Sequence, residues 1–159
     1  MLILGIDPGS ITLGYGIIQQ HRNTVTYVAS GCIKVGKHEW PQRLRLIYDD
    51  LCYIIQQYKP NHVAIEKVFV HKNAASALKL GQARGAAIVA AASHDLLISE
   101  YSAREVKQAV VGYGNAEKSQ IQHMIKAILN LNEVPATDAA DALAVALCHG
   151  NTRKLVEVT

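Results

Sequence analysis

Apolar and polar positions divide the first part of the chain into three extended segments. The run Leu2–Asp7 is almost wholly apolar and is followed by a Pro-Gly-Ser turn signal. Leu13–Gln20 and Thr24–Val35 are rich in Val, Ile, Thr and Tyr, which favours strands. The three residues between them form a link short enough for a hairpin. The pattern therefore predicts an antiparallel meander of three strands.

The rest of the chain changes between helical periodicity and short apolar runs. Apolar residues recur at helical spacing from Pro41 to Tyr58. The segments that follow predict a fourth strand over His62–Val68, a long alanine-rich helix over Ala74–Ser93 and a fifth strand over Leu96–Tyr101. Three further helices are predicted, one from Ala103, one over Glu117–Asn130 and one over Asp138–His149.

This order of elements is typical of an α/β domain. We expect a mixed five-stranded sheet, in which the antiparallel meander is extended by parallel strands, with helices on both faces. At 159 residues the chain is long enough for one such domain. We place that domain at residues 1–150 and treat 151–159 as a short C-terminal tail.

Composition agrees with a folded globular protein and limits its class. Hydrophobic residues make up 50% of the chain and charged residues 18%, which argues against disorder. No apolar run is long enough to span a bilayer, and the N-terminus lacks a signal-like segment, so we expect a cytoplasmic protein. The cysteines are widely spaced with no Cys-x-x-Cys pair, so we expect reduced thiols rather than zinc ligands or disulfides.

Charge is unevenly distributed although the net charge is only +3. Residues 67–126 carry eight Lys or Arg against four Asp or Glu, whereas residues 127–159 carry two against four. A basic middle and an acidic end suit a protein that holds a polyanion with Lys and Arg while carboxylates hold metal ions.

Four carboxylates lie at the margins of apolar segments. Asp7 and Glu66 end apolar strand-like runs, and Asp138 and Asp141 begin the alanine-rich last helix. A carboxylate beside a core needs a cationic partner, and a hard divalent cation such as Mg²⁺ takes oxygen ligands. Individually, Asp138 has an alternative interpretation as a helix cap and Asp7 as a turn residue.

Together the four carboxylates predict a site for phosphodiester hydrolysis. Asp138 and Asp141 are three residues apart and share a helix face. Carboxylates from two strands and one helix can hold two Mg²⁺ ions ~4 Å apart, an arrangement that activates water and stabilises a leaving oxygen. We expect two Mg²⁺ ions per active site, with Mn²⁺ as a substitute. If strand one lies beside strand four in the sheet, Asp7 and Glu66 become neighbours.

Several stretches of the chain resemble the RuvC family of crossover (Holliday) junction endodeoxyribonucleases, in the ribonuclease H-like superfamily. In chain order they are Gly5–Ser10, Ala64–Phe69, Ser76–Gly85, Val106–Gln108, Gly114–Gln120 and Asp138–Ala144. The resemblance covers roughly residues 1–150, and it is specific because independent motifs occur in the order found in the family.

The resemblance implies an enzyme and its partners. We expect a homodimeric nuclease that resolves four-way DNA junctions by paired nicks in two strands of like polarity, during recombination and DNA repair. The resemblance also implies a branch-migration motor complex as partner and action at the bacterial nucleoid.

The resemblance assigns roles to individual residues. The metal-binding catalytic residues are expected to be Asp7, Glu66, Asp138 and Asp141. Lys107 and Lys118 match basic residues near the scissile strand, and Phe69 matches an aromatic residue that stacks on bases near the exchange point. Further DNA contacts are expected from Lys67, Lys72, Lys79 and Arg84, with Lys67 standing where the family commonly has glutamine.

The residues alone leave other interpretations open. Phe69 has the alternative of a core side chain, and Lys107 that of a solvated lysine. Lys118 stands in a first helical turn, where a cation opposes the helix dipole, which favours a functional role. We expect His71, His123 and His149 to be surface histidines.

Two other classes of function compete with a nuclease. An actin-like phosphotransferase has a first phosphate loop that resembles Gly5–Ser10, but it needs two such domains and a second glycine-rich loop. A junction-binding protein without cleavage activity is the closer alternative, and the intact set of four carboxylates argues against it.

The helix predicted over Ala74–Ser93 is apolar on more than one face. A helix that is apolar nearly all round must be buried on both sides, and its small residues permit close approach of another helix. This predicts a two-fold homodimer interface on the helix. The alternative is that another helix of the same chain covers the second face.

Overall fold

A computed structural model describes residues 1–70 and 73–158 of the chain, with side chains described as far as residue 153. Within these residues the strands are β1 (Leu2–Asp7), β2 (Thr12–His21), β3 (Thr24–Lys34), β4 (His62–Glu66) and β5 (Leu97–Tyr101). The helices are α1 (Trp40–Tyr58), α2 (Ala74–Ala92), α3 (Ala103–Val111), α4 (Lys118–Ile128) and α5 (Thr137–Val158).

The strands form one mixed sheet in the order β3-β2-β1-β4-β5. The pairs β1–β2 and β2–β3 are antiparallel, whereas β1–β4 and β4–β5 are parallel. The predicted sheet is therefore confirmed, including the position of the first strand beside the fourth. Because Ile6 pairs with Ile65, the residues that follow them, Asp7 and Glu66, lie at the same edge of the sheet.

Alternate residues of the central strands face two separate core layers. Leu4 and Ile6 of β1 pack with buried residues of α1 and α2, whereas Ile3 packs with α3, α4 and α5. Each fully buried Leu or Ile side chain contributes about 1.5–3 kcal/mol relative to its exposed state. The two layers confirm helices on both faces and place Asp7, four residues after Ile3, on the α5 face.

Close packing of α5 on β1 and β2 depends on glycine. A Cβ atom on Gly5 would lie 2.0 Å from the carbonyl oxygen of Ala142, and one on Gly14 would lie 1.9 Å from that of Asp138. No side chain fits at those separations, so the helix backbone rests directly on the sheet. This contact positions the first turns of α5 beside the end of β1.

The last helix is longer than predicted. It continues past His149 to Val158, so residues 151–158 extend α5. Gly150 lies within this helix and packs so closely that a Cβ there would lie 2.6 Å from Oε1 of Gln20. The fourth strand is shorter than predicted and ends at Glu66, since its partner strand ends at Tyr101, where the chain turns into α3.

The prediction that His149 is a surface residue is wrong. Its side chain is buried, and its Nδ1 shares a 2.8 Å hydrogen bond with the hydroxyl of Tyr101. Burial lowers the pKa of His149 to about 4, so the imidazole is neutral. His149 lies on the side of α5 that packs against the sheet, and the buried part of this helix reaches further along the chain than predicted. His123 is exposed as predicted, and His71 lies outside the described residues.

Helix α2 buries one face and exposes the other. Ala83, Ala87, Ala90 and Ala91 are buried in the layer that contains α1, so a helix of the same chain covers one of its apolar faces. Leu78 and Val89 remain exposed. The three cysteines are free thiols, as predicted. In the part of the chain that the structure describes, no helix has the length and apolar character needed to cross a membrane.

Candidate functional site

The four predicted carboxylates meet in one cavity. Asp7, Glu66, Asp138 and Asp141 line a space of about 340 Å³ at the ends of β1 and β4 and the beginning of α5. Lys107 and Lys118 line the same cavity. The structure thus brings together all six residues expected to take part in chemistry.

Backbone contacts hold the carboxylates at this edge. Asp7 lies opposite Gly14 in the β1–β2 pairing, and the main-chain oxygen of Asp138 lies where a Gly14 side chain would begin. Gln122 donates hydrogen bonds from Nε2 to Pro135 O at 3.2 Å and Thr137 Oγ1 at 3.3 Å. These bonds tie α4 to the loop that leads into α5, just before Asp138.

The cavity concentrates negative charge. Burial, followed by the charges of Asp141, Glu66 and Asp138, raises the pKa of Asp7 to about 8. Burial is also the largest cause of the raised pKa values of Glu66 and Asp141. The nearby lysines oppose these shifts without cancelling them. A bound cation would relieve the repulsion that remains.

Two lysines contribute positive charge at different depths. Nζ of Lys118 lies 3.5 Å from Oδ2 of Asp141, and the Lys118 side chain is 72% exposed against 19% for Asp141. Lys107 is half-buried, and its charge lowers the pKa values of Glu66 and Asp141. The interpretation of Lys107 as a solvated lysine away from any site does not fit this position.

The oxygen-only donor set fits Mg²⁺. Among the described residues, no three His, Cys, Asp or Glu side chains converge on one point as a ready-made metal shell. Mg²⁺ keeps several of its waters and needs only one or two carboxylates directly, so an open group of acidic side chains is sufficient. The described residues that line the cavity include no cysteine or histidine, which is consistent with a hard cation.

Phe69 and Lys67 adjoin this cavity. Together with Asp7, Glu66, Pro8 and other residues, they line a neighbouring space of about 220 Å³. Phe69 is 55% exposed, so its interpretation as a core side chain is wrong. An exposed aromatic ring beside an exposed lysine is suited to stacking on an unpaired base.

The remaining predicted DNA contacts fall in different places. The Lys79 ammonium lies on the exposed side of α2, 5.5 Å from the centre of the Trp40 ring. Arg84 is directed inward: its side chain is 17% exposed, and its Nε donates to the main-chain oxygen of Glu66 at 3.2 Å. Lys72 lies outside the described residues.

Sequence reasoning missed one residue that supports the site. The guanidinium of Arg43 donates to the main-chain oxygens of His38, Gly36 and Ser10, at 2.7, 3.0 and 3.2 Å. It thereby connects the loop after Asp7 to the loop before α1. Nothing in its local sequence distinguishes Arg43 from a surface arginine of a helix, so only the fold shows this role.

A sheet of this order with helices on both faces is ribonuclease H-like, and acidic residues grouped at its edge have the chemistry of a metal-dependent nuclease. The family model described as "Crossover junction endodeoxyribonuclease RuvC" matches residues 3–149. The chain therefore belongs to the RuvC family of crossover junction endodeoxyribonucleases, which are metal-dependent nucleases.

Named relatives agree with this assignment. The RuvC protein of Cronobacter sakazakii is 59% identical over 148 residues, which cover 93% of this chain and 86% of the relative. That of Idiomarina loihiensis is 59% identical over 156 residues, covering 95% and 88%. The structure of Thermus thermophilus RuvC in complex with Holliday junction substrate matches with a TM-score of 0.91 at 31% identity, covering 98% of this chain and 96% of that chain.

Proposed function

We propose that this chain is a Holliday junction resolvase, which cuts four-way DNA junctions by paired nicks in two strands of like polarity during recombination and repair. The observation that carries this proposal is the single cavity in which four carboxylates and two lysines meet on a RuvC fold. The Thermus relative solved with a Holliday junction substrate supports the choice of DNA.

The four carboxylates are assigned to metal binding. Asp7, Glu66, Asp138 and Asp141 would hold two Mg²⁺ ions, with Mn²⁺ as a substitute. Bound Mg²⁺ supplies a Lewis acid for attack of water on the phosphodiester bond. Lys118 lowers the pKa of Asp141 and so favours its ionised form, and Lys107 adds positive charge where the scissile phosphate must enter the acidic cavity.

DNA binding is assigned to the surface around the cavity. Phe69 stacks on a base next to the scissile phosphate, and the exposed Lys67 and Lys79 contact phosphates. Lys72 belongs to this set through the family resemblance. Because phosphate contacts supply most of the affinity, junction binding does not require the carboxylates.

A homodimer is assigned to the exposed face of α2. Leu78 and Val89 are exposed there, and a Cβ on Gly81 or Gly85 would meet no other atom within 4 Å. This surface is apolar and of low relief, so it suits close two-fold packing of two copies of α2. Two such copies provide one metal site for each of the two equivalent strands of a junction.

The cellular setting follows from the proposed substrate. Four-way junctions arise in chromosomal DNA, so the protein would act in the bacterial cytoplasm at the nucleoid. The branch-migration motor complex expected from the family resemblance would supply junctions to the dimer.

A nicking assay on a synthetic four-way junction tests the proposal. Labelled junction is incubated with the protein in Mg²⁺ or in EDTA, and both strand cleavage and mobility shift are measured. We expect symmetric nicks in Mg²⁺ and a shifted, uncut junction in EDTA. A shift without cleavage in Mg²⁺ or Mn²⁺ would identify a binding protein, and neither signal would refute the assignment.

A further inference from the structure

Glu66 carries its carboxylate on one face of the sheet and is supported from the other. In β4, Val63 and Ile65 pack in the layer of α1 and α2, whereas Ala64 packs in the layer of α5. Glu66 therefore presents its side chain to the α5 face, where it lines the acidic cavity. The residue needs a fixed backbone, since it is the last of its strand.

Arg84 approaches the same residue from the α2 side. Its Nε donates to the main-chain oxygen of Glu66 at 3.2 Å. Its Nη2 lies 2.8 Å from Oε1 of Glu100, which is close enough for an ion pair although the N–H bond is not aligned with that oxygen. The Arg84 guanidinium therefore contacts Glu66 and Glu100 of its own chain, whereas Lys67 and Lys79 are exposed.

The carbonyl of Glu66 has lost its ordinary strand partner. The β1–β4 register ends at Ile6 and Ile65, and beyond Asp7 the chain continues with Pro8, which has no N–H to donate. On the other side, the ladder with β5 closes with the bond from Lys67 N to Tyr101 O at 2.8 Å. Arg84 supplies the donor at the point where the sheet stops supplying one.

We propose that Arg84 is a positioning residue for metal binding. By holding the main chain of Glu66, with Glu100 as its counter-ion, it fixes the direction in which the Glu66 carboxylate enters the cavity. This inference rests on the proposed function of the cavity as a metal site. It reassigns Arg84 from a DNA contact to a residue that acts through Glu66.

The test compares Arg84→Gln, Arg84→Lys and Glu100→Gln with wild type in three measurements. Mn²⁺ affinity is measured without DNA by calorimetry or electron paramagnetic resonance. Junction affinity is measured in EDTA at several salt concentrations, and single-turnover nicking is measured at saturating junction over a range of Mg²⁺. Arg45→Gln is the control, because Arg45 is an exposed arginine on α1 that pairs with Asp49 rather than with a residue of the cavity.

We expect Arg84→Gln to lower Mn²⁺ affinity and nicking by about 10-fold or more, as for other residues that orient metal ligands. Higher Mg²⁺ should restore part of the nicking. Junction affinity and its salt dependence should equal those of wild type. Glu100→Gln should show a smaller loss of the same kind, because the hydrogen bond from Arg84 Nε to Glu66 remains. The loss in Arg84→Lys should be intermediate between those of Arg84→Gln and Glu100→Gln. Arg45→Gln should equal wild type throughout.

Opposite results would overturn the inference. If Arg84→Gln bound Mn²⁺ like wild type but lost junction affinity, with the salt slope reduced by about 1, Arg84 would be a phosphate contact. Melting and sedimentation show whether each variant keeps its fold and oligomeric state. If Arg84→Gln does not fold, the Mn²⁺ and junction affinities of Arg84→Lys and Glu100→Gln decide between the two roles of Arg84. Failure of the proposed function would appear in wild type itself, as absent Mn²⁺ binding or absent nicking.

Discussion

Nζ of Lys118 lies 3.5 Å from Oδ2 of Asp141, across the junction between the first turns of α4 and α5. Because the lysine side chain is mostly exposed, this ion pair contributes little to folding, about 0–1 kcal/mol. Its larger effect is on the cavity, since the Lys118 charge lowers the pKa values of Asp141, Glu66 and Asp7. The lysine therefore favours the ionised carboxylates that a cation requires.

Replacing Lys118 should shift the pH dependence of cleavage. Lys118→Gln removes a charge that lowers the carboxylate pKa values, so those values rise and ionised ligands are reached only at higher pH. We expect the nicking rate at fixed Mg²⁺ to rise to its plateau at a higher pH than in wild type. Lys126→Gln, on the same helix, is the control. An unshifted pH–rate profile would separate Lys118 from metal binding.

Neutral isosteres of the carboxylates should abolish cutting but not binding. Asp7→Asn and Glu66→Gln each remove a proposed metal ligand, and we expect a loss of several kcal/mol at the transition state or about 1000-fold in rate. Junction affinity resides in Lys and Arg contacts and should stay within a few-fold of wild type. Nicking and mobility-shift assays measure the two effects separately. Nicking by Asp7→Asn at a rate comparable to wild type would refute the metal assignment.

The same Asp7→Asn variant should be more stable than wild type when no metal is present. Burial and neighbouring charges raise the pKa of Asp7 from 3.8 to about 8, so between these values the folded protein keeps a proton that the unfolded chain releases. Stability therefore falls as pH rises through this window. Asparagine removes that loss.

Thermal melting in EDTA measures this difference. At pH 8 we expect Asp7→Asn to exceed wild type by at least about 1 kcal/mol, roughly 3 °C for a domain of this size. The difference should shrink towards pH 5, and Mg²⁺ should raise the melting temperature of wild type more than that of the variant. Glu133→Gln, at an exposed position, controls for loss of a charge alone. A lower melting temperature for Asp7→Asn at pH 8 would contradict the electrostatic account.

Phe69 should affect junction cleavage without affecting the metal. Replacing it with Ala removes a stacking surface worth about 1–3 kcal/mol per base, which corresponds to about 5- to 150-fold in cleavage. Phe69→Trp and Phe69→Tyr keep the surface and should retain much of the activity. Mn²⁺ affinity should be the same in all three variants. Full cleavage by Phe69→Ala would leave the exposed ring without a role in DNA binding.

Charges on the exposed face of α2 should produce monomers. Leu78→Glu or Val89→Glu places a carboxylate on the proposed interface, and we expect a folded monomer that no longer makes paired nicks. Sedimentation measures the oligomeric state, and circular dichroism measures whether the variant is folded.

Ala87→Glu is not a suitable test, because Ala87 is fully buried within the chain and a charge there would disrupt the core. Tyr53→Glu, at an exposed position on α1, is the matched control. A wild-type monomer at micromolar concentration that still cut both strands in concert would exclude the dimer.

Local patterns were sufficient to predict most of the fold and the acidic residues of the site. The end of β1 is visible in the sequence because Asp7 interrupts its apolar run, whereas the fourth strand was predicted to run two residues past Glu66. Asp7 and Glu66 nevertheless meet in space as predicted, since the two strands pair in parallel. Prediction failed where a residue's role depends on a distant partner. Gly150 resembles a helix stop, but it lies against Gln20, and His149 resembles a surface residue, but it bonds to Tyr101.

The inward position of Arg84 was equally invisible, because a lone arginine on a helix has no local feature that distinguishes an internal partner from a phosphate. Glu66, the partner of Arg84, is 18 residues away along the chain. The Glu66 carbonyl is available to accept from Arg84 only because Pro8, which has no N–H, follows Asp7 on the neighbouring strand. Long-range pairing of this kind requires the three-dimensional arrangement.

The glycine contacts beneath α5 have a consequence for how this enzyme can change. Gly5 and Gly14 carry no chemistry, yet each leaves room for a main-chain atom of the helix that bears Asp138 and Asp141. One added methyl group at either position would lift that helix and separate two of the proposed metal ligands from the other two. Mutational drift is therefore restricted at residues remote from any substrate, and inherited loss of activity can arise at a glycine while every catalytic side chain is intact.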